Sequence, residues 1–578
     1  MPQFPHEGFS DLSIVLCGAA GQGVQTVEEI LVDSLRRSGL NLFASREYMS
    51  RVRGGSNSTE LRVSSERVNA LVDRIDILLP LNGGIRPNIR KRISPGTLIL
   101  GDIEELKDEF GDSPGIFMNV PLMEKGRESG GAVYTGVVAV GLLSGLLDLP
   151  TGIIRSIIEE KFSGKSAEIV RNNLSALEKG LEIASELRSS GDIVVEIPNP
   201  SAGAKEMVLN GSDAVSLGAI AGGCDFIASY PMSPATGVLT FMARHARKFG
   251  VAVEQAEDEI AAINMATGAS YGGARSMVST SGGGLSLMSE GVSLAGITEI
   301  PVVLHIGQRP GPATGMATRT EQGDLNLAVF CGHGDIPRIV FAPGTLEQAF
   351  RYTREAFNLA AEFQIPVFVL TDQYFLNSFY NIPPFDLQDF RVERHLVEAV
   401  PGYRRYENTP DGVSPRSVPG FGMELVGTDS HEHDAWGHAQ EDFELRKSMV
   451  EKRLRKMKGI LGKAEKPTLE GPEDFRDLVV SWGSTCHIVR EALEKTNSGK
   501  VAHLHFGQVF PLHRDTVDIL ASAERVVAVE GNATGQFAGL IRKETGFLIE
   551  EKVLWYSGLQ MSVETVAQGL KERLGQGG

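Results

Sequence analysis

The five residues Tyr230-Pro231-Met232-Ser233-Pro234 form a stiff turn at the end of a predicted buried strand. The apolar residues 226–229 lead into this turn, and residues 238–249, with a helical pattern, follow it. Two prolines fix φ around a single hydroxyl, that of Ser233, so the hydroxyl is held in one place. The pattern predicts Ser233 as a helix N-cap and Pro234 as the first helical position. A cap alone is one interpretation; ligand binding is the other, because open α/β sheets bind ligands at this end of their strands.

Three further segments follow predicted strands farther along the chain. They are Glu254-Gln255-Ala256-Glu257-Asp258-Glu259 before a small-residue helix at 260–269, Ser281-Gly282-Gly283-Gly284 after the strand 276–280, and Gln308-Arg309-Pro310-Gly311-Pro312-Ala313-Thr314-Gly315 after the strand 301–306. The alternation of strands and helices from 206 to 383 predicts a parallel sheet with helices on both faces.

With these four motifs in this order, the chain resembles the α subunit of the 2-oxoacid:ferredoxin oxidoreductases. The family pattern is a Tyr-Pro-Ile-Thr-Pro turn, a Gln-Ala-Glu-Asp-Glu helix start, a Thr-Ser-Gly-Pro-Gly loop and an Arg-Pro-Gly-Pro-Ser-Thr-Gly loop. The chain departs from it at Met232, Ser233, Gly237 and Gly283. Serine in place of threonine keeps the hydroxyl but removes a methyl group, which would reshape the substrate pocket.

The resemblance implies an α/β protein built from several domains. We expect a γ-type α/β domain at 8–190, a thiamin diphosphate pyrimidine-binding parallel-sheet domain at 206–383, a linker with a bracing helix at 384–470, and a transketolase C-terminal-like domain at 473–578. A Pro/Gly/Ser-rich stretch at 189–205 marks the first join. The length of 578 residues fits three or four domains.

The composition limits which partners and which cellular compartment we expect for this chain. The formal net charge of −17 argues against nucleic acid and anionic membranes as partners. The sequence predicts neither a membrane span nor a signal peptide, so a cytoplasmic location is expected. Four cysteines lie far apart without a CxxC pair, so neither a disulfide framework nor a metal or cluster site is predicted in this chain.

The first domain contains two glycine-containing segments that suggest phosphate binding. The turn Gly18-Ala19-Ala20-Gly21-Gln22-Gly23 has the spacing GxxGxG rather than GxGxxG, so close strand–helix packing is favoured over dinucleotide binding. Arg51 and Arg53 precede the pair Gly54-Gly55, and this region resembles the family's γ subunit. Guanidinium groups beside bare backbone suit the phosphates of CoA. An arginine pair at a subunit interface is an alternative to phosphate binding, and we weigh the two interpretations equally.

Residues 384–470 change in composition and contain His431, His433 and His438. No strand or helix spacing organises these histidines, so a solvated linker is preferred to a metal site. Residues 441–460 read as a charged helix that braces the neighbouring domains. In the last domain, Glu530 and Asn532 are predicted to fix a turn rather than to do chemistry.

The resemblance implies thiamin chemistry in the central domain. Cleavage of a 2-oxoacid beside its carbonyl leaves a carbanion, for which thiamin diphosphate is an electron sink. A carboxyl group facing N1′ of the cofactor promotes the reactive tautomer by proton exchange. Glu257 falls at the family's position for this role; Glu254 and Glu259 are alternatives, with Glu259 expected to be a helix-start charge stabilised by the dipole.

The remaining candidate residues surround this carboxyl. A bidentate guanidinium suits the substrate carboxylate, with Arg309 first and Arg319 second, and Ser233 is expected to donate a hydrogen bond to the substrate. The expected cofactor contacts are Tyr230, Pro231, Glu257, Ser281, Gly282 and Arg319.

The chain lacks the Gly-Asp-Gly element that holds Mg²⁺ and the diphosphate in thiamin enzymes. The resemblance therefore implies a β subunit that carries Mg²⁺, the diphosphate and a [4Fe-4S] cluster, in an (αβ)₂ assembly that reduces ferredoxin. The γ–α fusion looks most like the 2-oxoglutarate branch: 2-oxoglutarate, CoA and oxidised ferredoxin give succinyl-CoA, CO₂ and reduced ferredoxin, reversibly in principle. A branched-chain or other 2-oxoacid is the alternative substrate, and a non-catalytic nucleotide-binding assembly subunit is the alternative class.

Overall fold

The computed structural model describes residues 4–6, 11–19, 23–48, 56–110, 112–190, 193–195, 197, 206–387, 390–496 and 499–575. The chain divides into two compact units. The first comprises Met1–Leu209 with Asn377–Pro384, and the second comprises Asn210–Leu376 with Phe385–Gly578.

The strands, in chain order, are β1 (Phe4–His6), β2 (Asp11–Ala19), β3 (Asn41–Glu47), β4 (Ser56–Ser64), β5 (Ile77–Pro80), β6 (Leu98–Gly101), β7 (Ile116–Asn119), β8 (Ile193–Val195), β9 (Met207–Asn210), β10 (Phe226–Ser229), β11 (Ala252–Gln255), β12 (Ser276–Thr280), β13 (Val302–Gln308), β14 (Ile339–Phe341), β15 (Pro366–Asp372), β16 (Ser378–Ile382), β17 (Thr468–Glu470), β18 (Asp477–Trp482), β19 (Val501–Phe506), β20 (Gln508–Phe510), β21 (Arg525–Glu530) and β22 (Glu551–Leu554).

The α-helices, in the same order, are α1 (Val24–Arg37), α2 (Pro87–Arg90), α3 (Ile103–Phe110), α4 (Leu122–Glu128), α5 (Thr135–Leu146), α6 (Thr151–Phe162), α7 (Ala167–Ser189), α8 (Gly211–Ala221), α9 (Thr236–Phe249), α10 (Glu259–Tyr271), α11 (Gly282–Leu287), α12 (Ser289–Ile297), α13 (Leu325–Phe330), α14 (Leu346–Phe363), α15 (Gln373–Asn377), α16 (Phe443–Gly462), α17 (Thr485–Thr496), α18 (Thr516–Ala521), α19 (Gln536–Thr545) and α20 (Val563–Leu574).

The first unit is built on an eight-stranded sheet in the order β7-β6-β5-β2-β4-β3-β16-β9. Strands β7, β6, β5 and β2 pair in parallel, whereas β2, β4, β3 and β16 pair antiparallel. Residues 12–17 lie in β2 and are buried. Residues 378–382, near the end of the predicted thiamin domain, instead form β16 in this sheet, and Asn381 Oδ1 accepts a hydrogen bond from the backbone of Leu42 at 2.8 Å.

The second unit contains a seven-stranded sheet in the order β11-β10-β12-β13-β15-β14-β20. Its first six strands are parallel, and only β20 pairs antiparallel, with β14. Each strand predicted between 226 and 371 has a counterpart here, so the predicted doubly covered parallel sheet is confirmed. Small residues such as Ala262 and Ala266 let helix α10 lie close to the sheet, and both are fully buried.

A five-stranded sheet, β17-β19-β18-β21-β22, completes the second unit. Its buried residues Trp482 and Leu504 belong to the same hydrophobic cluster as Leu304 of the seven-stranded sheet. As predicted, Glu530 and Asn532 fix the turn after β21. The Asn532 amide oxygen accepts backbone N–H bonds from Gly535 and Gln536, and Glu530 accepts one from Phe537 at 2.8 Å.

Several residues in the described part of 385–442 are buried within the second unit, whereas a solvated linker was expected. Tyr406 is fully buried and its hydroxyl donates to the Thr298 carbonyl at 3.0 Å. His433 is also fully buried, and its ring centroid lies 4.0 Å from that of Tyr406 with the two rings tilted by 45°. The charged helix predicted at 441–460 is confirmed as α16. The hydrophobic periodicity of the sequence does not predict this burial, because the segment has almost no regular secondary structure.

Within the described ranges, no helix combines the length and apolarity needed to cross a membrane.

Candidate active site

The four motifs meet at one edge of the seven-stranded sheet. Strands β10, β12 and β13 are parallel neighbours, so their carboxyl ends point the same way. The turn 230–234 follows β10, residues 254–259 lead out of β11, and Arg309 follows β13. Ser281 follows β12 and occupies the N-cap position of α11, so the predicted turn at 281–284 is in fact the start of a helix. This is the edge at which parallel sheets bind ligands.

The turn after β10 differs from its predicted helix cap. Helix α9 begins at Thr236 with Ala235 in the N-cap position, so Ser233 is not the N-cap. The Ser233–Pro234 peptide is cis. Arg309 Nη1 donates a hydrogen bond to the Ser233 carbonyl at 2.7 Å. The structure thus brings the two predicted substrate-binding residues together, with the serine hydroxyl half-buried.

The loop after β12 lies against the same turn. Ser281 is fully buried, and its hydroxyl contacts the sulfur of Met232. Tyr230 is 40% exposed and Pro231 is half-buried, so both are accessible from this edge. The predicted cofactor contacts Tyr230, Pro231, Ser281 and Gly282 therefore occupy adjoining positions.

The three candidate glutamates occupy different environments. Glu254 and Glu257 are exposed. Asp258 is the N-cap of α10, accepting the Ala261 N–H at 2.7 Å. Glu259, in the first turn, is only 3% exposed, and its buried Oε1 has no hydrogen-bond partner among the described residues. Glu259 lies at the helix start, as expected, and the neighbouring residues bury its side chain.

Glycines allow the close approach that buries Glu259. A Cβ at Gly284 would lie 1.9 Å from Thr280 Oγ1 and 2.8 Å from Glu259 Cγ. Thr280 Oγ1 is likewise buried without a partner in the described chain. Buried polar groups are nearly always hydrogen-bonded, so two unsatisfied oxygens beside a bare backbone fit a bound polar ligand.

Asp324 lies on the other side of the glycine loop. A Cβ at Gly282 would come within 2.2 Å of Asp324 Oδ1, so only glycine fits there. Burial, with the charge of Glu321, raises the pKa of Asp324 to about 6, although Arg309 opposes the shift. Burial lowers the pKa of Arg309, and the charges of Asp324 and Glu259 partly offset this effect. We refer to Glu259, Thr280, Arg309 and Asp324 as the strand-end cluster.

Asp324 was missed by the sequence reasoning. Asp324 lies in a polar loop whose residue spacing does not indicate a functional site. Its role depends on contact with Gly282, which lies 42 residues earlier in the chain.

The five-stranded sheet fixes the loop that carries Asp324. The Gln322 side chain donates to the Trp482 carbonyl and accepts the Gly531 N–H, both at 2.8 Å. The Gln536 amide donates to the Gly323 carbonyl at 2.7 Å. Arg319, the second choice for the substrate carboxylate, is half-buried in this loop, where its backbone N–H donates to the Met316 carbonyl at 3.0 Å. The C-terminal part of the chain therefore positions the strand-end cluster.

The buried residue His305 links the strands that carry this edge of the sheet. His305 Nδ1 lies 2.8 Å from Ser279 Oγ, and its Nε2 lies 2.9 Å from Thr371 Oγ1. Burial lowers the pKa of His305 to about 3, so the ring is neutral at physiological pH. With both nitrogens paired to hydroxyls, His305 joins three neighbouring strands rather than serving as an acid or base.

Two other predictions concern groups outside this cluster. Arg51, Arg53, Gly54 and Gly55, the candidate CoA residues, lie outside the described residues, as do Ala20, Gly21 and Gln22 of the first glycine-rich turn. Among the described residues, no group of three or more histidine, cysteine or acidic side chains is arranged to hold a metal ion.

Two family descriptions match the chain. "Pyruvate flavodoxin/ferredoxin oxidoreductase, thiamine diP-bdg" covers residues 217–452, and "Pyruvate ferredoxin/flavodoxin oxidoreductase" covers residues 13–183. The first range contains the whole strand-end cluster. Fold and site together thus define a thiamin diphosphate-binding oxidoreductase.

Similar proteins extend the match over nearly the whole chain. The 2-oxoacid:ferredoxin oxidoreductase 2 subunit alpha of Aeropyrum pernix is 33% identical over 98% of each chain. The 2-oxoglutarate oxidoreductase subunit KorA of Mycobacterium tuberculosis is 28% identical, over 92% of this chain and 86% of its own. The 2-oxoglutarate:ferredoxin oxidoreductase of Magnetococcus marinus, solved with 2-oxoglutarate, coenzyme A and succinyl-CoA bound, gives a TM-score of 0.90 at 31% identity, covering 98% of this chain and 100% of that chain. The chain belongs to the thiamin diphosphate-dependent 2-oxoacid:ferredoxin oxidoreductases, as an α subunit.

Proposed function

We propose that this chain acts with a β subunit to oxidise 2-oxoglutarate to succinyl-CoA and CO₂, with CoA as acyl acceptor and ferredoxin as electron acceptor. The observation that carries the proposal is the strand-end cluster, which combines two carboxyls, a guanidinium and three buried oxygens without a hydrogen-bond partner among the described residues, at the ligand-binding edge. The M. tuberculosis and M. marinus relatives, both named for 2-oxoglutarate, support the substrate assignment.

Within this cluster we propose Glu259, rather than Glu257, which the family resemblance implies, as the carboxyl that faces the thiamin ring. A group that exchanges a proton with N1′ must be shielded from water and must have an oxygen free to bond the ring. Glu259 has both properties, whereas Glu257 is exposed. When bound, thiamin diphosphate supplies the electron sink for cleavage beside the substrate carbonyl. Glu259 would hold or release the proton at N1′.

Arg309 remains our first candidate for the substrate carboxylate. Its guanidinium is tied by one nitrogen to the Ser233 carbonyl, and the bond leaves further donors for a ligand. Asp324 lowers the net positive charge around Arg309, so its protonation state would tune substrate affinity. Ser233 would then donate from the adjacent turn. Arg319 stays the second candidate.

The β subunit, the CoA site and the assembly complete the proposal. The absence of a Gly-Asp-Gly sequence supports a partner that supplies Mg²⁺, the diphosphate contacts and a [4Fe-4S] cluster. Arg51, Arg53, Gly54 and Gly55 remain proposed CoA contacts, and (αβ)₂ remains the proposed assembly. We propose a cytoplasmic location.

The test is ferredoxin reduction by the chain copurified with its β subunit, with CoA and a panel of 2-oxoacids. We expect the highest kcat/KM with 2-oxoglutarate, because a C5 dicarboxylate offers a second carboxylate for recognition. A preference for a branched-chain or short 2-oxoacid would replace the substrate assignment but keep the family chemistry. The broader name of the A. pernix relative makes this the second candidate. Lack of turnover with every 2-oxoacid, together with binding of free nucleotide by the isolated chain, would favour an assembly subunit.

A further inference from the structure

A small cavity lies at the opposite edge of the seven-stranded sheet, where β12 and β13 begin. Its volume is about 20 Å³, and its lining includes Arg275, Ser276, Arg394 and Arg416. A site of about 10–15 Å³ holds one water-sized particle, so this cavity has room for one or two. We refer to these four residues and the space between them as the arginine cavity.

Arg416 is a buried cation without an acidic partner. It is 6% exposed, and its Nη2 donates to the Ser270 carbonyl at 2.8 Å. Across the described ranges, no carboxylate lies within ion-pair distance of its guanidinium. Burial, together with the charges of the nearby Arg405, Arg275 and Arg394, lowers the pKa of Arg416 to about 9. Burying a charge is costly unless an opposite charge compensates it.

The other two arginines add positive charge to the same space. Arg275 is 6% exposed and bonds only neutral acceptors with its side chain: the carbonyls of Gly222 and Glu393 and the amide oxygen of Asn358. Arg394 pairs with Asp225 at 2.9 Å. Among the described residues, Asp225 is therefore the one carboxylate that forms an ion pair with any of these three guanidinium groups.

Ser276 supplies a further donor. Its Oγ is buried and has no hydrogen-bond partner in the described part of the chain. A hydroxyl can donate one hydrogen bond, and such a buried group is normally satisfied. Excess positive charge and an unused donor therefore occur around a cavity too small for another side chain.

We propose that the arginine cavity is a binding site for a single chloride-sized anion held by Arg416 and Ser276. A volume of about 20 Å³ suits a monatomic anion better than sulfate or phosphate, each of which has five non-hydrogen atoms. Arg394 and Arg416 belong to the segment between β16 and α16, whereas Arg275 directly precedes β12 and Ser276 is its first residue. The anion therefore joins residues 390–416 to the base of the sheet that carries the strand-end cluster at its other edge.

The direct test is crystallographic. Crystals of the full chain with its partner subunit, grown in sodium bromide, are expected to show an anomalous difference peak within hydrogen-bonding distance of Arg416 and Ser276. A site filled by water, with no anomalous signal at the bromide edge, would overturn the proposal.

A solution test uses matched variants. At constant ionic strength, replacing gluconate with chloride should raise the Tm of the wild-type protein, because a ligand that binds only the folded state stabilises it. Arg404→Gln is the control, since Arg404 is exposed and stacks over Trp436 in the same segment. The chloride-dependent rise should persist in Arg404→Gln and disappear in Arg416→Gln. An equal response in Arg416→Gln, or none in the wild type, would refute the site. If Arg416→Gln does not fold, Ser276→Ala is expected to weaken the chloride response several-fold, and an unchanged response would count against the proposal.

Discussion

Replacing Glu299 with glutamine is expected to destabilise the second unit by about 3–5 kcal/mol, the usual cost of removing one member of a buried ion pair. Glu299 is fully buried and lies 2.6 Å from the ammonium groups of both Lys452 and Lys456 of α16. Those lysines are 0% and 1% exposed in their side chains. Glutamine keeps the shape of the side chain but leaves two buried positive charges without a counter-charge.

The pKa shifts indicate how this cluster depends on pH. Burial alone would raise the pKa of Glu299, but Lys456, Lys452 and Arg405 hold it below its ordinary value. Burial lowers the pKa of Lys452 to about 8, despite the attraction of Glu299. A carboxyl with a depressed folded-state pKa contributes stability that is complete above its unfolded pKa of about 4.5 and is lost as pH falls through the folded value. The effect of Glu299→Gln should therefore be full at pH 7.

The assay is hydrogen exchange of α16 and of residues 397–416, resolved by peptide mass spectrometry. A loss of about 3–5 kcal/mol corresponds to opening about 10²–10⁴ times more often, which is readily measured. Lys463→Met, which removes an exposed ion pair with Glu362, should cost no more than about 1 kcal/mol. Replacing Glu299, Lys452 and Lys456 together with methionine should restore most of the protection. Equal exchange in Glu299→Gln and Lys463→Met would refute the reasoning.

Three further predictions concern the proposed site. Arg309→Lys should raise KM for the 2-oxoacid far more than KM for CoA, because an ammonium cannot replace the planar fork; the same pattern in Arg319→Lys instead would reverse our two choices. In the wild type, KM for the 2-oxoacid should rise as pH increases through about 6, because ionised Asp324 offsets the charge of Arg309, and Asp324→Asn should remove that step. The purified chain alone should contain no iron and bind thiamin diphosphate weakly by calorimetry, because the diphosphate and its Mg²⁺ contribute most of the affinity; stoichiometric iron or micromolar binding would contradict the split site.

The sequence predicted the frame of the site because local rules govern it. Residues 226–229 and 276–280 are short segments that reach a proline or a glycine two residues later, and both are strands in the structure. Their order, with helices between them, is enough to predict a parallel sheet and to bring Ser233 and Arg309 to one edge.

What the sequence could not predict depends on contacts between distant segments. A glutamate in the first turn of a helix is ordinarily solvated, and nothing near Glu259 in the chain indicates otherwise. Its side chain is buried because Gly284, which follows β12, has no side chain that would hold Glu259 away. The packing of residues 397–440 was missed for a related reason: Tyr406 and His433 are buried by tertiary contacts in a segment without periodicity.

The most direct test of the central claim compares two glutamates that lie two positions apart. In the assembled enzyme, Glu259→Gln should lower kcat for ferredoxin reduction by about 10²–10⁴ with subunit assembly intact, because the amide cannot exchange the N1′ proton. Glu257→Gln, changed at an exposed position, should stay within about threefold of the wild type. Wild-type turnover by Glu259→Gln, with the loss appearing in Glu257→Gln, would contradict the assignment of the strand-end cluster as the thiamin site.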